Sequence, residues 1–324
     1  MYIVTGAAGF IGSALVWNLN QMGFTDIICV DQFRNGSKWK NLAGLKFTDF
    51  IQKEVFYDIL EDPEYIKKVD GIFHLGACSS TTEKDMDFLC DNNYYFSQVC
   101  FKWCKEFGKK FIYASSAATY GEGENGFDDR TDSFELLPLN PYGYSKVLFD
   151  RWVSQQSKKP KVCAGLKFFN VFGPNEYHKT EMSSVVFKSF HKIKEEGKMQ
   201  LFRSHRPDYK DGEQKRDFVY VKDITRWMIE LMQMKEVDGL FNMGFGEART
   251  WNDLTNAVFK SLNLEPKIEY IDIPEHIRDQ YQYFTEANIS KLKEVGLSEP
   301  QWPLEKAVED YVVNYLSKES PYLR

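Results

Sequence analysis

Short apolar runs rich in β-branched residues alternate with helix-length segments over residues 1–170. Buried strands are predicted for the runs 2–5, 26–30, 71–75, 110–114 and 162–168. Apolar residues at helical spacing over 11–22 predict the first connecting helix. Strands that alternate with helices need crossover connections, so the pattern predicts an α/β fold with a doubly wound parallel sheet.

The pattern changes after Asn170, where the segments become longer, more charged and less regular. The polar stretch 204–215 is typical of a loop, whereas the strand-like run 218–221 and the helical run 223–234 return to the earlier style. We therefore expect two interleaved domains rather than two consecutive ones. The larger domain is expected to combine residues 1–169 with 216–241, and the smaller one 170–215 with 242–324.

The charge balance and the apolar runs limit the kinds of function to expect. The 324 residues carry 41 Lys and Arg against 47 Asp and Glu, a formal net charge of −6. This balance argues against broad electrostatic binding of nucleic acid, which needs a basic face. No apolar run approaches the about 18 residues of a membrane span, and no leader-like segment precedes the first strand. We therefore expect a cytoplasmic protein that binds neither nucleic acid nor membrane.

Cysteine and histidine spacing gives no sign of a metal site or a disulfide framework. The six cysteines are scattered without paired C-x-x-C spacing, and the five histidines lack metal-ligand spacing. In a chain of this length, reduced and mostly buried thiols are expected. Aromatic residues make up 16% of the chain, which fits a rich core, an oligomer interface or a ligand cleft.

A glycine-rich turn between the first strand and the first helix predicts a dinucleotide site. Gly6, Gly9 and Gly12 permit a tight turn, a close approach to a pyrophosphate and close packing of helix on strand. Asp31 ends the second strand, where an acid bonds the adenosine ribose in a Rossmann domain. Asp31 alone favours NAD, whereas cationic side chains nearby (Arg34, Lys38, Lys53) favour the 2′-phosphate of NADP. We expect NADP, with NAD as the alternative.

Tyr142 and Lys146 form the candidate catalytic pair. They lie four residues apart and therefore on one face of a helix. A tyrosine is a poor base at neutral pH unless a nearby cation favours its phenolate, and Lys146 could supply that charge. Ser116 ends a predicted strand and points from the carboxyl edge of the sheet into the ligand crevice, where its hydroxyl could bond the substrate oxygen.

These residues resemble the extended short-chain dehydrogenase/reductase superfamily. Longer strings resemble one family within it, the 6-epimerases of ADP-linked heptoses, and the similarity covers nearly the whole chain. The strings are GACSSTTE at 76–83, DNNY at 91–94, ASSAATYG at 114–121, FNVFGP at 169–174, HK at 178–179, RDFVYV at 216–221 and YQYFT at 281–285.

The resemblance implies an NADP-dependent inversion of C6 of the heptose in ADP-D-glycero-β-D-manno-heptose, which supplies the lipopolysaccharide core. The implied route is transient oxidation to a 6-keto sugar followed by hydride return to its other face. Two opposed proton-transfer groups are then needed, and Tyr142 and Lys179 match them. The resemblance also implies a homo-oligomer, expected to be a pentamer.

Further site residues are carried over from the resemblance position by position. The residues expected to contact cofactor are Gly6, Gly9, Phe10, Ile11, Gly12, Asp31, Gln32, Lys38, Lys53, Leu75, Gly76, Ala77, Cys78, Ser79, Asn92, Lys146, Val171 and Lys179. The residues expected to contact substrate are Asn170, Glu181, Lys188, Phe202, Arg203, Ser204, His205, Arg216 and Tyr281. Arg216 stands out on its own chemistry because a planar guanidinium suits phosphate oxygens; the alternative is an ion pair with Asp217 or Asp211.

Some positions depart from the family pattern. Leu75 stands where an acid is common, Ala7 where glycine is common and Lys188 where histidine is common, and the loop 206–215 is longer than in the short form of the family. Because of two of these departures, Lys188 and the loop, the preference for ADP-linked or GDP-linked sugars is left open.

Two other functions remain as alternatives. A 4-epimerase needs only one tyrosine-type base, whereas a 4,6-dehydratase needs an Asp-Glu pair where this chain has Ala117 and Ala118. A non-catalytic NADP-binding protein has no need of Tyr142 and Lys146, and both are present.

Overall fold

A seven-stranded parallel sheet lies at the centre of the computed structural model, which describes residues 1–34, 36–278 and 281–324. In chain order, the strands are β1 (Tyr2–Thr5), β2 (Ile27–Asp31), β3 (Asp49–Gln52), β4 (Gly71–His74), β5 (Lys110–Ser116), β6 (Val162–Phe168), β7 (Asn170–Phe172), β8 (Met199–Phe202), β9 (Lys215–Tyr220), β10 (Val237–Met243), β11 (Ala248–Thr250) and β12 (Ile268–Ile271). The large sheet has the order β10-β6-β5-β4-β1-β2-β3, with every neighbouring pair parallel. The strand order reverses between β1 and β4, which opens a crevice beyond their carboxyl ends.

Helices cover both faces of this sheet, and others pack in a separate core with β8 and β9. In chain order, the helices are α1 (Phe10–Gln21), α2 (Phe56–Glu61), α3 (Pro63–Lys68), α4 (Met86–Leu89), α5 (Phe96–Glu106), α6 (Pro141–Ser154), α7 (Val185–Glu196), α8 (Val221–Gln233), α9 (Trp251–Ser261), α10 (Glu275–Arg278), α11 (Ser290–Glu294) and α12 (Leu304–Tyr311). Short 3₁₀ segments span Lys38–Asn41, Ala117–Tyr120, Ser133–Glu135 and Tyr177–Met182, and π-helical segments span Cys90–Tyr95 and Val312–Leu316.

The two-residue period of a strand explains why the central strands are apolar throughout. Val4 and Ile112 point into a core formed with α1 and α8, whereas their neighbours Ile3 and Phe111 point into a core formed with α5 and α6. A strand covered on both faces buries every side chain and therefore shows a continuous apolar run. The α/β doubly wound fold and its strands at 2–5, 26–30, 71–75, 110–114 and 162–168 are confirmed, with ends shifted by at most two residues.

Two strands of the large sheet, β3 and β10, were not predicted, and they lie at its two edges. In β3 the sequence Asp49-Phe50-Ile51-Gln52 buries only Ile51 fully, and in β10 the residues 238–240 are not fully buried. An edge strand has one free side, so it needs fewer apolar residues and gives a weaker sequence signal.

The remaining elements form a second layer beside the carboxyl edge of the large sheet. β9 pairs with β7 and β11 in a three-stranded sheet, and β8 pairs with β12. The chain therefore rejoins the large sheet through β10 and not through the strand predicted at 218–221. The helix predicted at 223–234 is α8, which packs on α1. Residues 203–214 contain neither helix nor strand, as expected of the polar loop.

The thiols are distributed as the sequence suggested. All six cysteines are free, and four of them (Cys29, Cys100, Cys104 and Cys163) are buried. Within the described ranges, no helix combines the length and apolar character needed to cross a membrane.

We expect Gly12→Ala to destabilise the protein far more than Gly23→Ala. A Cβ on Gly12 would lie 2.1 Å from the Gly6 carbonyl oxygen, a backbone atom that cannot move away easily. Gly23 has φ of 79° but nothing within 4 Å of its Cβ position, so alanine there costs only about 1 kcal/mol of backbone strain. Overpacking at Gly12 should cost about 3 kcal/mol or more, measured as the free energy of unfolding in urea. Equal losses for the two variants would contradict this.

Candidate functional site

A cleft of about 740 Å³ lies beyond the carboxyl ends of the central strands. One side consists of the glycine turn after β1 and the loop after β4, and the other includes residues of α7, β9 and α9. The cleft is therefore bounded by both layers of the protein, at the switch point where doubly wound sheets bind ligands.

The glycine turn fits a dinucleotide. Gly6 has φ of 67°, and a Cβ there would lie 2.7 Å from the Gly76 amide nitrogen. A Cβ on Gly9 would lie 3.0 Å from the Gly6 carbonyl oxygen. The turn is therefore tight and free of side chains where it faces the cleft, and it leads into α1 at Phe10, so backbone amides can approach a pyrophosphate.

Asp31 lies at the end of the cleft expected to hold the adenosine. Its carboxylate accepts hydrogen bonds from the backbone amides of Ala8 (2.8 Å) and Gln32 (2.7 Å). Lys38 forms an ion pair with the same carboxylate, and both side chains line the cleft. A cation therefore neutralises the acid at this end of the cleft.

Helix α6 carries the candidate catalytic pair. The Asn140 side chain caps the helix by accepting the Gly143 amide at 2.8 Å, and Pro141 occupies the first helical position. Tyr142 is 9% exposed and Lys146 is 5% exposed, and both line the cleft. Lys146 Nζ donates to the Ala114 carbonyl oxygen at 3.1 Å, and burial lowers its pKa to about 8.

Tyr142 lies beside Ser116. Burial raises the pKa of Tyr142, and a hydrogen bond with the Ser116 hydroxyl opposes that rise. This direction is opposite to the lowering by Lys146 that the sequence led us to expect. A phenol with a raised pKa holds its proton at neutral pH, so Tyr142 is suited here to donating a proton to a carbonyl oxygen.

Lys179 lies on the 3₁₀ segment Tyr177–Met182 and lines the same cleft. Its ammonium lies 5.3 Å from the centre of the Phe10 ring, at the start of α1. Burial lowers the pKa of Lys179, while the negative charge of Glu176 opposes this. Glu176 is itself fixed by the amide of Gly173 and by Ser184. Lys179 is therefore a part-buried lysine held beside the glycine turn and not a lysine of an exposed loop.

Arg216 is a buried cation without an acidic partner among the described residues. It is 8% exposed, and its guanidinium donates to the carbonyl oxygens of Lys215 and Gln282. The centres of the Trp251 and Tyr281 rings lie 5.8 Å and 5.6 Å from Cζ. Burial lowers the pKa of Arg216. An uncompensated buried guanidinium that lines a cleft is suited to binding an anion.

The alternative role of Arg216, an ion pair with Asp217 or Asp211, is not found among the described residues. Asp217 accepts instead from the backbone amides of Phe245 (2.6 Å), Gly246 (2.9 Å) and Ala287 (3.0 Å). Asp211 accepts from the Ser204 amide at 3.0 Å and lies near Arg203. Both carboxylates therefore bind backbone amides of the loops around the cleft and do not pair with Arg216.

The comparisons with known proteins agree with this geometry. Residues 2–244 match the model of the NAD dependent epimerase/dehydratase family. An ADP-L-glycero-D-manno-heptose-6-epimerase of Nitratidesulfovibrio vulgaris is 51% identical over 324 residues, which cover 100% of both chains. The chain belongs to the ADP-L-glycero-D-manno-heptose-6-epimerase family.

Solved structures support the same assignment. The crystal structure of the Helicobacter pylori ADP-L-glycero-D-manno-heptose-6-epimerase is 28% identical with a TM-score of 0.78, over 97% of this chain and 95% of that chain. A UDP-N-acetylglucosamine 4-epimerase of Methanobrevibacter ruminantium is 25% identical with a TM-score of 0.81, over 95% of this chain and 96% of that chain. The fold is thus shared with epimerases that act at other sugar carbons.

Most residues expected to form the site of a heptose 6-epimerase line the cleft. These are Gly6, Gly9, Phe10, Ile11, Gly12, Asp31, Lys38, Leu75, Gly76, Ala77, Ser79, Ser116, Tyr142, Lys146, Asn170, Val171, Lys179 and Arg216.

Four residues expected to contact cofactor lie outside the cleft lining. The Lys53 ammonium donates to the Asn92 side-chain oxygen at 2.7 Å. Gln32 contacts Glu54, and the Cys78 backbone is tied to the Asn93 side chain by bonds of 2.8 Å and 2.9 Å. These contacts hold the side chains of Lys53, Asn92 and Gln32 and the backbone of Cys78 near the expected cofactor site, but none of the four residues lines the cleft.

Seven residues expected to contact substrate also lie outside the lining: Glu181, Lys188, Phe202, Arg203, Ser204, His205 and Tyr281. Lys188 Nζ donates to the Glu181 carbonyl oxygen. Tyr281 packs against Phe202, and its hydroxyl oxygen accepts a hydrogen bond from Trp251 Nε1 at 3.1 Å. The rings of Tyr281 and Trp251 both lie beside Arg216. The role expected of these seven residues in binding substrate stays a prediction.

Sequence reasoning missed several residues of the cleft. Trp251, Gln282 and Thr285 line its substrate side. Gln282 and Thr285 lie in the YQYFT string, so the family resemblance could have pointed to them. Trp251 follows the helix cap Thr250, and no motif in the sequence marks it as a site residue. Asn93, next to the expected Asn92, is 1% exposed and bonds both the Cys78 backbone and the Ser145 hydroxyl (2.9 Å) of α6.

We expect Arg216→Met to reduce strongly the thermal stabilisation of this protein by ADP while changing the stability of the free protein little. The substitution removes a buried charge without an acidic partner, so the free energy of unfolding should change by less than about 2 kcal/mol. Loss of charge-assisted bonds to a diphosphate should weaken ADP binding about 10- to 100-fold. Calorimetry and thermal melts with and without ADP measure both effects.

The matched control is Arg130→Met, which removes an exposed arginine that pairs with Glu294. This variant should bind ADP as the wild type does. Unchanged ADP binding by Arg216→Met would show that Arg216 does not bind the diphosphate.

Proposed function

We propose that this protein inverts C6 of ADP-D-glycero-β-D-manno-heptose to give ADP-L-glycero-β-D-manno-heptose, a reaction that supplies lipopolysaccharide core synthesis. One observation carries the proposal. Tyr142 on α6 and Lys179 on the Tyr177–Met182 segment, two proton-transfer groups from separate elements, both open into the cleft that contains the glycine turn. A 4-epimerase needs only the tyrosine-type base, so the second group, Lys179, is what favours a two-group inversion at C6.

The reaction is an oxidation followed by a reduction at the same carbon. When bound, a nicotinamide cofactor supplies reversible hydride acceptance and donation at C6. One side chain removes the proton of the C6 hydroxyl as the hydride leaves, which gives a 6-keto sugar. The ketone then turns its other face to the hydride, and the second side chain donates a proton to the oxygen. The same hydride is returned, so there is no net redox change. The first side chain releases its proton to solvent and the second takes one up before the next turnover.

Tyr142 and Lys179 suit these steps in different ways. Tyr142 has a raised pKa and a hydrogen-bonding neighbour in Ser116, so it holds a proton ready for the ketone oxygen. Lys179 has a lowered pKa, so a larger fraction of it is neutral near pH 7 than for an exposed lysine. We assign Lys146, four positions along the same helix, to stabilising the phenolate formed once the proton has left.

Arg216 is the group that we assign to the substrate diphosphate. It is buried, it opens into the cleft and its guanidinium contacts carbonyl oxygens and aromatic rings. Since the protein has a formal net charge of −6, a negatively charged substrate must be held by local cations and not by the overall field.

NADP is the cofactor that we favour. Asp31 alone would repel a 2′-phosphate, but Lys38 forms an ion pair with it inside the cleft. Arg34 lies next to this pair and donates to the Gln32 side chain at 3.4 Å. Two cations around one acid leave net positive charge for a phosphate.

The organisation of the protein in the cell and in solution is also part of the proposal. We infer a cytoplasmic homo-oligomer, with a pentamer as the expected form. The division into a cofactor domain (1–169 with 216–241) and a substrate domain (170–215 with 242–324) places Tyr142 in the first and Lys179 in the second. The two proton-transfer groups would then belong to different domains, and the cleft would lie between them.

We expect Tyr142→Phe and Lys179→Met each to lower kcat about 10²- to 10⁴-fold, because each removes one proton-transfer group. The assay follows the C6 configuration of ADP-D-glycero-β-D-manno-heptose by NMR. Lys194→Met, on the last turn of α7, is the matched control and should retain activity.

Full activity of Lys179→Met would contradict the two-group mechanism. Inactivity of the wild type towards the ADP-heptose, with inversion of C4 in a UDP-hexose, would make the protein a 4-epimerase. Binding of NADP without turnover of any nucleotide sugar would make it a non-catalytic binding protein.

We expect Lys38→Met to weaken NADP binding about 10-fold and to leave NAD binding nearly unchanged, because only NADP carries the phosphate that a cation would bond. Titration of the cofactors by fluorescence measures both affinities. Lys46→Met, at an exposed position, is the control. Equal losses for NAD and NADP would show that Lys38 only supports the fold of this end of the cleft.

A further inference from the structure

A buried ion pair lies behind the catalytic helix, away from the cleft lining. Asp150 on α6 is 2% exposed and Lys167 on β6 is 0% exposed, and Nζ of the lysine lies 3.3 Å from Oδ2 of the aspartate. Oδ2 also accepts the Ser115 hydroxyl at 2.6 Å. The other oxygen, Oδ1, is buried without a hydrogen-bond partner among the described residues. Part of the charge of Asp150 is therefore not satisfied by local bonds.

This pair is connected to the catalytic strand end. Lys167 Nζ donates to the Thr119 hydroxyl at 2.6 Å, and that hydroxyl donates to the Ser116 carbonyl oxygen at 2.7 Å. The bond from Ser115 to Asp150 holds the preceding residue of β5. Two chains of hydrogen bonds thus fix the backbone that carries Ser116.

The same pair lies one helical turn beyond Lys146. Residues 146 and 150 share a face of α6 because they are four positions apart. The charge of Asp150 raises the pKa of Lys146 against the larger lowering caused by burial. Without that charge, more of Lys146 would be neutral near pH 7, and the phenolate of Tyr142 would lose its neighbouring cation.

We propose that Asp150 and Lys167 are positioning residues for this reaction: the buried carboxylate keeps Lys146 cationic, and the pair holds Ser116 at the cleft. The proposal rests on the proposed function, since it assigns Lys146 and Ser116 to the catalytic site. Neither Asp150 nor Lys167 lines the cleft, so their effect reaches the substrate only through those two residues.

Other charged and titratable groups face this region from several elements. Tyr113 on β5 and Tyr120 on the following 3₁₀ segment lie next to the pair, and burial raises the pKa of each, so both stay neutral. Cys78, on the loop after β4, lies close enough to Lys146 to raise its pKa. His74 on β4 has a pKa lowered to about 3 by burial and by the positive charge of Lys146, so it is uncharged above that pH. Asp129 acts on Lys167 and Tyr120, whereas Asp150 is the carboxylate whose charge acts on Lys146.

The test compares the pH dependence of kcat for three variants. Asp150→Asn removes the charge and keeps the shape, so Lys146 should lose its proton more easily. The fall in kcat on the alkaline side should then move to lower pH by about one unit. The double variant Asp150→Asn/Lys167→Met also removes the lysine charge. The pH of its alkaline fall in kcat should therefore lie between those of Asp150→Asn and the wild type. Lys167→Arg keeps the charge and should leave the position of the fall unchanged.

A direct titration separates this proposal from the proposed function. The side-chain carbons of ¹³C-labelled lysine report the pKa of Lys146 by NMR, with the signal assigned from a Lys146→Met spectrum. The Lys146 midpoint should fall in Asp150→Asn even if the substrate is another nucleotide sugar.

A purely structural role predicts a different pattern. It would lower kcat and the melting temperature of Asp150→Asn while the Lys146 midpoint and the pH of the alkaline fall stay where they are in the wild type. That result would overturn the inference. Inactivity of the wild type towards the ADP-heptose, with a shifted Lys146 midpoint, would instead reject the proposed function.

Discussion

The close approach of two backbone turns at the carboxyl edge of the sheet is the constraint on which the site depends. The turn after β1 and the loop after β4 meet so closely that a Cβ on Gly6 would lie 2.7 Å from the Gly76 amide nitrogen. The chain between them passes out to β2 and β3 and back, so this contact joins segments 70 residues apart. One side of the cleft is therefore formed by backbone, and the side chains of Tyr142, Lys179 and Arg216 line the cleft around it.

The electrostatics of the cleft follow from burial. Lys146, Lys179 and Arg216 come from three different elements, and burial lowers the pKa of each. Placing three cations in one cleft is costly without an anion. In the proposed function, a nucleoside diphosphate offsets that cost when it binds, so local cations hold an anionic substrate on an acidic protein. The same burial brings the pKa of each of the two lysines closer to neutral pH, where they can exchange protons.

Much of the fold could be read from the sequence because the central strands are covered on both faces and therefore appear as apolar runs. The edge strands β3 and β10, both partly exposed, show no such run. The glycine turn, Tyr142 and Lys146 were predictable because their spacing is local. Arg216 was a candidate on its chemistry alone, whereas only the resemblance singled out Lys179. The burial of both could not be predicted, since it depends on the second layer folding over the cleft. The Asp150–Lys167 pair joins a helix to a strand, and neither residue has a local signal.

The central claim is that C6 is inverted by removing and returning the same hydride. The most direct measurement uses ADP-D-glycero-β-D-manno-heptose with deuterium at C6, incubated with the cofactor-loaded protein in ordinary water. The account predicts that the L-glycero product keeps its deuterium at C6, because the hydride never exchanges with solvent. Loss of the deuterium to water during inversion would show that C6 is deprotonated instead, and would contradict the oxidation and reduction described above.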